Sequence, residues 1–273
     1  MKPAPFTYHA PGSLAEAVAL LAAAGHDGKV LAGGQSLIPI LNMRLASPSH
    51  LVDINGLPDL GQIEVTADCV RVGALVRHAE LLADDAAAAA QPLLRQALRN
   101  VAHPAIRNRG TTVGSIAHAD AAGEMPAIAA LTEAVMEITG PGGSREVAAA
   151  DFFVGALETV LEPDEILTHV RFGRFPEGTR TAFLESARRH GDYAMAGVAV
   201  AVAPEWTRAA YVSVTDVPGV VDLTEAMAGD DPAALDAAID AHIDPLDDIH
   251  ASADYRGLLA RELTRRALQE ATA

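Results

Sequence analysis

Two glycine-bearing segments of the chain carry the residue types that hold phosphate groups in proteins. The first is Ala32-Gly33-Gly34-Gln35-Ser36, in which residues without a Cβ atom let backbone N–H groups approach an anion and Gln35 and Ser36 add side-chain donors. The second is Gly110-Thr111-Thr112-Val113-Gly114-Ser115, which adds hydroxyl groups. Together they could grip one elongated dinucleotide. Paired glycines are also typical of a simple strand-to-helix turn, so each segment alone leaves both interpretations open.

Other nucleotide and metal patterns do not fit the sequence. The first segment lacks the third glycine of a Rossmann fingerprint, and no Gly-Lys-Ser/Thr follows as in a P-loop, which disfavours a nicotinamide dehydrogenase. The pairs His118/Asp120 and His190/Asp192 have no adjacent third ligand, so a metal role is disfavoured for both. We therefore predict no metal site on this chain.

The composition excludes several classes of partner. Twenty Lys and Arg against 36 Asp and Glu give a net charge of −16, which repels nucleic acid and anionic membranes. No apolar stretch approaches the roughly 20 residues of a transmembrane helix, and the start of the chain shows no secretory signal, so the cytoplasm is predicted. The single cysteine, Cys69, cannot hold an iron-sulfur cluster alone and is interpreted as a core thiol.

The pattern around the first glycine segment predicts a small α/β unit. Ser13 begins a capping pattern for a helix that ends near Gly25. A short strand at 29–32 leads through the glycines into a helix that starts at 36–41. A strand at 51–54 closes this unit, and a second unit is predicted to begin near residue 55.

The remaining pattern predicts more sheet and more helix. The predicted strands are 62–65, 69–73, 135–138, 183–189, 197–202 and 211–215, with a hairpin turn at 140–143. The predicted helices are 79–102, 125–134, 231–241 and 255–271. The fold class that follows is α+β, with a terminal domain of sheet and helices.

Several stretches spread along the whole chain resemble one known family. They are Ala32-Gly33-Gly34-Gln35-Ser36-Leu37-Ile38-Pro39, Arg107-Asn108-Arg109-Gly110-Thr111, Ser115-Ile116-Ala117-His118-Ala119-Asp120, Asp151-Phe152-Phe153-Val154-Gly155, Arg188-Arg189-His190-Gly191-Asp192-Tyr193-Ala194 and His250-Ala251-Ser252-Ala253-Asp254-Tyr255-Arg256. These stretches resemble the FAD-binding medium subunit of molybdenum hydroxylases, a family that includes carbon monoxide dehydrogenase. Xanthine dehydrogenase carries a related flavin domain.

The resemblance implies a domain division and a set of cofactor-binding residues. An FAD-binding domain is expected at 1–176, divided into subdomains 1–54 and 55–176, followed by a C-terminal flavoprotein domain at 177–273. The expected FAD-binding residues are Lys29, Val30, Leu31, Ala32, Gly33, Gly34, Gln35, Ser36, Val101, Thr111, Thr112, Gly114, Ser115, Glu124, Leu167 and Tyr193. Residues 29–36 and 111–115 would wrap the pyrophosphate, Glu124 would approach sugar or ribityl hydroxyls, and Tyr193 would lie near the isoalloxazine.

Two positions depart from the family pattern. Val113 is interpreted as standing where the family has a glycine, so its Cβ atom is expected to displace the loop or to forbid a positive φ. Leu184-Glu185 stands where a lysine is often found, so any phosphate or flavin contact of that lysine is expected to be lost.

The resemblance also implies a role and partners. The chain would accept electrons from a small subunit with two [2Fe–2S] clusters, within a complex whose large subunit carries the molybdenum cofactor, arranged as a dimer of heterotrimers. No residue of this chain would need to act as a general acid or base. The alternatives are a stand-alone FAD-dependent oxidoreductase and a nucleotide-binding scaffold without flavin. The substrate of the complex and its electron acceptor are not specified by this chain.

Overall fold

The computed structural model describes residues 2–229 and 231–273, so Met1 and Asp230, which fall within the expected domains, lie outside the described residues. The strands are β1 Thr7–His9, β2 Gly28–Leu31, β3 His50–Asp53, β4 Ile63–Val65, β5 Cys69–Gly73, β6 Val135–Gly140, β7 Gly143–Ala148, β8 Phe153–Gly155, β9 Glu158–Thr159, β10 Ile166–Gly173, β11 Arg180–Ser186, β12 Ala196–Val202, β13 Thr207–Val212 and β14 Val220–Asp222. The helices are α1 Leu14–Ala24, α2 Leu37–Met43, α3 His78–Ala83, α4 Asp85–Ala90, α5 Pro92–Leu98, α6 Pro104–Arg107, α7 Thr112–His118, α8 Glu124–Leu131, α9 Ala149–Phe152, α10 Thr224–Ala228, α11 Pro232–Asp240 and α12 Ala253–Thr272, with 3-10 turns at Gly25–Asp27 and Pro58–Leu60.

A three-stranded parallel sheet in the order β1-β3-β2 forms the first unit. Helix α1 begins where the Ser13 hydroxyl accepts a hydrogen bond from the Glu16 amide, and it ends at Gly25, whose φ of 56° favours glycine. Helix α2 follows β2 after the first glycine segment. The sequence predicted α1, β2, α2 and β3 but not β1, and these elements bring that segment to the carboxyl end of a strand, where open α/β sheets bind ligands.

The second unit is built on a five-stranded antiparallel sheet in the order β4-β5-β10-β6-β7. The hairpin between β6 and β7 turns at Pro141-Gly142, as the glycine-rich sequence predicts. Strand β10 lies at the centre of the sheet. Helix α7, which carries the second glycine segment, packs against β5 and β10.

A four-stranded antiparallel sheet, β11-β12-β13-β14, forms the terminal part. One face packs on α5 and α8, and the other is covered by α12. Strand β12 is therefore buried on both faces: Ala199 and Ala201 join the core shared with the first and second units, whereas Val198 and Val200 join the core under α12. A strand buried on both faces is typically a continuous apolar run, and β12 reads Ala-Gly-Val-Ala-Val-Ala-Val.

The α+β class predicted from the sequence is confirmed, and some element boundaries differ. The predicted helix 79–102 is divided into α3, α4 and α5, because Asp84 caps a new helix and Pro92 begins another. The predicted strand 183–189 ends at Ser186, so Arg188-Arg189 lie in a bend. Within the described ranges, no helix is both long and apolar enough to cross a membrane.

Candidate functional site

The first glycine bend, residues 32–36, connects β2 to α2. Gly34 has a φ of 71°, a conformation that L-residues with a side chain rarely adopt. In the part of the chain that the structure describes, the backbone N–H groups of residues 33–36 donate no hydrogen bond to a backbone acceptor. Because unpaired amides normally find a partner, this bend has donors available for a ligand.

The second bend, residues 110–115, lies directly against the first. A Cβ atom at Gly33 would lie 2.6 Å from the backbone oxygen of Arg109 and 2.9 Å from the backbone nitrogen of Thr111. Thr111 caps α7 by accepting a hydrogen bond from the Gly114 amide at 3.2 Å. Only glycine at position 33 lets the two backbones approach this closely.

A chain of side-chain hydrogen bonds also connects the two bends. Asn55 donates from Nδ2 to the backbone oxygen of Ala32 at 2.9 Å and accepts at Oδ1 from Arg77 at 2.6 Å. Arg77 in turn donates to the backbone oxygen of Arg109 at 2.8 Å. Asp53 fixes Asn55 by accepting from its amide and its side chain. These residues belong to no glycine motif, and the sequence analysis did not find them.

The bends form one side of a cleft with a volume of about 590 Å³. All of the sequence-predicted binding residues except Leu31 and Thr112 line it: Lys29, Val30, Ala32, Gly33, Gly34, Gln35, Ser36, Val101, Thr111, Gly114, Ser115, Glu124, Leu167 and Tyr193. Residues from widely separated parts of the sequence thus meet at one place.

The structure does not bring Leu31 and Thr112 into the cleft. Leu31 is the last residue of β2, and its backbone oxygen accepts a hydrogen bond from the Ile54 amide. Thr112 is fully buried, and its hydroxyl lies 3.1 Å from Nδ1 of His78. Burial, and secondarily the nearby Arg107, lowers the pKa of His78 to about 4, so this histidine is neutral at physiological pH.

Three acidic or phenolic side chains, Glu124, Asp120 and Tyr193, also line the cleft. Burial, followed by the charges of Glu185 and Asp120, raises the pKa of Glu124 to about 8. The Tyr193 ring is exposed, and its pKa is raised by desolvation and by the adjacent Asp120 carboxylate. An exposed aromatic ring at the mouth of a cleft can stack on a planar ligand and offer its hydroxyl to the ring edge.

Gly191 positions the segment that carries Tyr193. Its φ is 88°, and a Cβ atom there would lie 2.6 Å from the backbone oxygen of Ala102. The sequence analysis quoted Gly191 in a motif but gave it no role. Asp120 and Gly191 line the cleft without having been predicted as binding residues, and their place within quoted motifs was the available signal.

The structure shows the surroundings of Val113 and of Leu184-Glu185, the two positions that depart from the family pattern. The expectation that Val113 would conflict with a required positive φ is wrong, because this residue lies inside α7 with its side chain in the core, and it is not among the positive-φ residues. Leu184 packs against the core under α12, so a side chain at that position points away from the cleft. Its neighbour Glu185 lies on the opposite face of β11.

Across residues 2–229 and 231–273, no three His, Cys, Asp or Glu side chains come together in a way that could hold a metal ion. Lys29 contributes a positive charge to the cleft. The hydrogen-bond donors of the cleft are therefore one ammonium group, backbone amides and hydroxyl groups. Such a donor set suits an anionic nucleotide.

Comparison with known proteins places this architecture in context. Residues 4–174 match the family described as FAD binding domain in molybdopterin dehydrogenase, and residues 181–271 match the CO dehydrogenase flavoprotein C-terminal domain. The carbon monoxide dehydrogenase medium chain of Hydrogenophaga pseudoflava is 37% identical over 100% of this chain and 99% of its own length. The nicotine 6-hydroxylase medium subunit of Paenarthrobacter nicotinovorans is 39% identical, with the same coverage.

Solved structures show the same likeness. Reconstituted CO dehydrogenase from Oligotropha carboxidovorans superimposes with a TM-score of 0.92 at 37% identity, covering 99% of both chains. Quinoline 2-oxidoreductase from Pseudomonas putida 86 superimposes with a TM-score of 0.91 at 37% identity, covering 99% of this chain and 98% of the other.

Proposed function

Because this chain belongs to the family of FAD-binding medium subunits of molybdenum hydroxylases, we propose that it takes electrons from iron-sulfur clusters on a partner subunit and delivers them to an external acceptor. The chain is thus an oxidoreductase subunit with FAD as its cofactor. Bound FAD supplies a ring that accepts electrons singly or in pairs, which suits exchange with one-electron clusters.

The residues of the cleft fit FAD. Its volume of about 590 Å³ lies within the range of roughly 300–1,000 Å³ for small-molecule sites. The observation that supports FAD binding most directly concerns the first bend: the amides of residues 33–36 have no backbone acceptor, and the bend lies against the second bend. Two adjacent sets of donors lining one cleft match the diphosphate of a dinucleotide.

Each part of the cleft has a proposed task toward FAD. Residues 29–36 and 111–115 hold the pyrophosphate, with Leu31 and Thr112 supporting the bends from behind. Val101 and Leu167, both buried, give the cleft apolar walls. Glu124 accepts hydrogen bonds from sugar or ribityl hydroxyls. Tyr193 packs beside the isoalloxazine and restricts access of water to one edge of it.

The proposed partners are a large subunit with the molybdenum cofactor and a small subunit with [2Fe–2S] clusters, assembled as a dimer of heterotrimers. The support is that several relatives are themselves named medium chain or medium subunit. A cytoplasmic location remains a prediction from the sequence. Purification of the native complex, with its metal content and mass, tests both partners and stoichiometry. Turnover of a reductant and an acceptor by the isolated chain would contradict the subunit role.

The cofactor assignment is tested by substituting Gly33. We expect Gly33→Ala to weaken FAD binding by at least about tenfold, because the added Cβ atom pushes the two bends apart by backbone contact. The measurement is titration with FAD, followed by the visible flavin spectrum. Gly56→Ala is the matched control, since a Cβ atom there meets no atom within 4 Å. Equal FAD affinity in both variants would refute the role of the bends.

A further inference from the structure

Two carboxyl groups lie on the side of the terminal sheet against which α8 packs. Glu185 stands opposite Gly197 of β12, and the Ser213 amide, which follows β13, donates to the backbone oxygen of Ala121 just before α8. Glu124 is the first residue of α8 and lines the cleft. On β11, Phe183 faces the core shared with the FAD-binding unit and Leu184 faces the core under α12, so Glu185 points with Phe183 towards the FAD-binding unit. Among the described residues, Oε2 of Glu185 is buried without a hydrogen-bond partner, although Glu185 itself does not line the cleft.

The charged groups on the surrounding elements do not neutralise this pair. Arg188 and Arg189, in the bend after β11, are exposed. Arg95 on α5 binds Asp85, and Arg208 on β13 binds Glu133. Strand β12 has no titratable side chain, and the Asp151 side chain on α9 is exposed.

The cleft itself brings further titratable groups near Glu124. The segment before α8 adds the negative charge of Asp120, and Tyr193 and His118 line the same cleft. The other titratable groups of the cleft are Lys29, His78, Glu165 and Asp192.

Burial and repulsion determine how the pair is charged. Burial raises the pKa of Glu185 to about 7, and burial together with the Glu185 charge raises the pKa of Glu124 to about 8. The N-terminus of α8 favours ionised Glu124, but this effect does not outweigh burial. Two desolvated carboxyls, neither of which forms an ion pair with a described residue, titrate as a coupled unit, so the second proton is lost only above neutral pH.

We propose that Glu124 and Glu185 share one proton at neutral pH and that FAD binding draws a further fraction of a proton onto the pair, so that Glu185 tunes FAD affinity from outside the cleft. FAD brings the negative charges of its pyrophosphate into the cleft and displaces water from Glu124, and both changes favour the protonated acid. Glu185 is therefore a positioning residue for the protonation state of Glu124. This inference rests on the proposed function, because it requires FAD in this cleft.

The test is FAD affinity against pH for the full chain, alone and in the assembled complex, after removal of FAD. For the unsubstituted chain we expect Kd to rise between about pH 7 and about pH 9, with a slope below about tenfold per pH unit because less than one proton is taken up. Glu185→Gln removes the charge that repels ionised Glu124. The rise in Kd should therefore begin at a pH at least about one unit lower. Glu124→Gln should abolish the rise. Glu205→Gln, an exposed carboxyl of the same domain, should keep the unsubstituted profile.

Calorimetry of FAD binding in buffers of different ionisation enthalpy measures the number of protons taken up. This number would not change if Glu185 had only a structural role. Near pH 8 the unsubstituted chain should take up a measurable fraction of a proton per FAD, and Glu185→Gln should take up less. Glu185→Met repeats the test if the glutamine variant does not fold. Affinity independent of pH, or an unchanged profile in Glu185→Gln and Glu185→Met, would overturn the proposal and leave the FAD site intact. No FAD binding at any pH would overturn the proposed function instead.

Discussion

Asn55 and Arg77 hold the two glycine bends together, although neither belongs to a bend. Replacing Arg77 by Met keeps the aliphatic stem and removes the donors to Asn55 and to the Arg109 backbone. We expect FAD affinity to fall about tenfold and the free energy of unfolding to fall by about 1–2 kcal/mol, as for lost charge-assisted hydrogen bonds. Titration and urea denaturation measure the two effects. Arg99→Met, at an exposed position, should change neither.

Glu137 lies at the centre of an ion cluster on the five-stranded sheet, remote from the bends. Its carboxylate binds Arg71 at 2.7 Å and Arg171 at 2.9 Å, and its side chain is 18% exposed. Hydrogen bonds from Arg71 and then Arg171 lower its pKa from 4.5 to about 2. Since the pKa is lowered by folding, the stabilisation is complete above about pH 5 and is lost as pH falls towards 2.

We therefore expect Glu137→Gln to destabilise the chain at neutral pH by about 2 kcal/mol, less than the full shift implies because the cluster is partly solvated. The difference from the unsubstituted chain should shrink as pH falls from about 5 to about 2. Urea denaturation at several pH values gives the comparison. A difference that stays constant down to the lowest pH would show that the carboxylate charge is not the cause.

At the residue scale, the sequence predicted the parts of the site that have a compositional signal. The glycine bends, Glu124 and Tyr193 lie within or beside motifs, so resemblance was sufficient to name them. Asn55 and Glu185 could not be named, because their roles depend on which elements pack together. Glu185 lies on the side of the terminal sheet that faces α8 because of the way β11 is oriented, and a local sequence pattern does not contain that orientation.

At the scale of elements, the helical region 78–98 depends on the cap of α4. Asp84 accepts a hydrogen bond from the Ala87 amide at 2.8 Å, and this cap allows a new helix to start in a different direction. We expect Asp84→Ala to cost about 1 kcal/mol of stability, as for other lost N-caps. Asp85→Ala is a close control, because its carboxylate is 94% exposed and its ion pair with Arg95 contributes little. Thermal unfolding of both variants decides whether the cap matters.

Strand β10 and helix α7 are among the elements that the sequence analysis did not predict, and the structure shows why. Strand β10 has an irregularity between Leu167 and His169, so residues 166–168 are all buried and the alternation that indicates a strand is interrupted. Helix α7 contains Gly114, which indicates a loop by propensity. The structure explains this glycine: a Cβ atom there would lie 2.5 Å from the Thr111 hydroxyl that caps the helix.

At the scale of the whole molecule, the terminal sheet and the FAD-binding part share one core. Phe183, Ala199 and Val212 belong to the same buried cluster as α5 and α8. We propose an FAD-binding domain 1–176, with subdomains 1–54 and 55–176, and a C-terminal domain 177–273, a division supported by the separate sheets of three, five and four strands. A shared core of this kind should make the two domains unfold together rather than in sequence.

Phe183→Ala tests this cooperativity. The ring is 6% exposed, so its removal should cost about 3 kcal/mol and lower the unfolding temperature of the whole chain. Calorimetry should show one transition, with equal calorimetric and van't Hoff enthalpies, in the unsubstituted chain. Leu246→Ala, at a 61% exposed position, should leave the transition in place. Two separated transitions in the unsubstituted chain would mean that the domains are independent.

The cleft is bordered by residues of the first sheet unit, of the helices and of the segment that follows β11. A ligand bound there therefore stabilises the entire polypeptide. A molecule that binds only the native form adds about 2.7 kcal/mol of protection when its free concentration is a hundred times its dissociation constant. Resistance to proteases should consequently follow the supply of coenzyme. A cell short of riboflavin would clear this polypeptide faster than one that is replete.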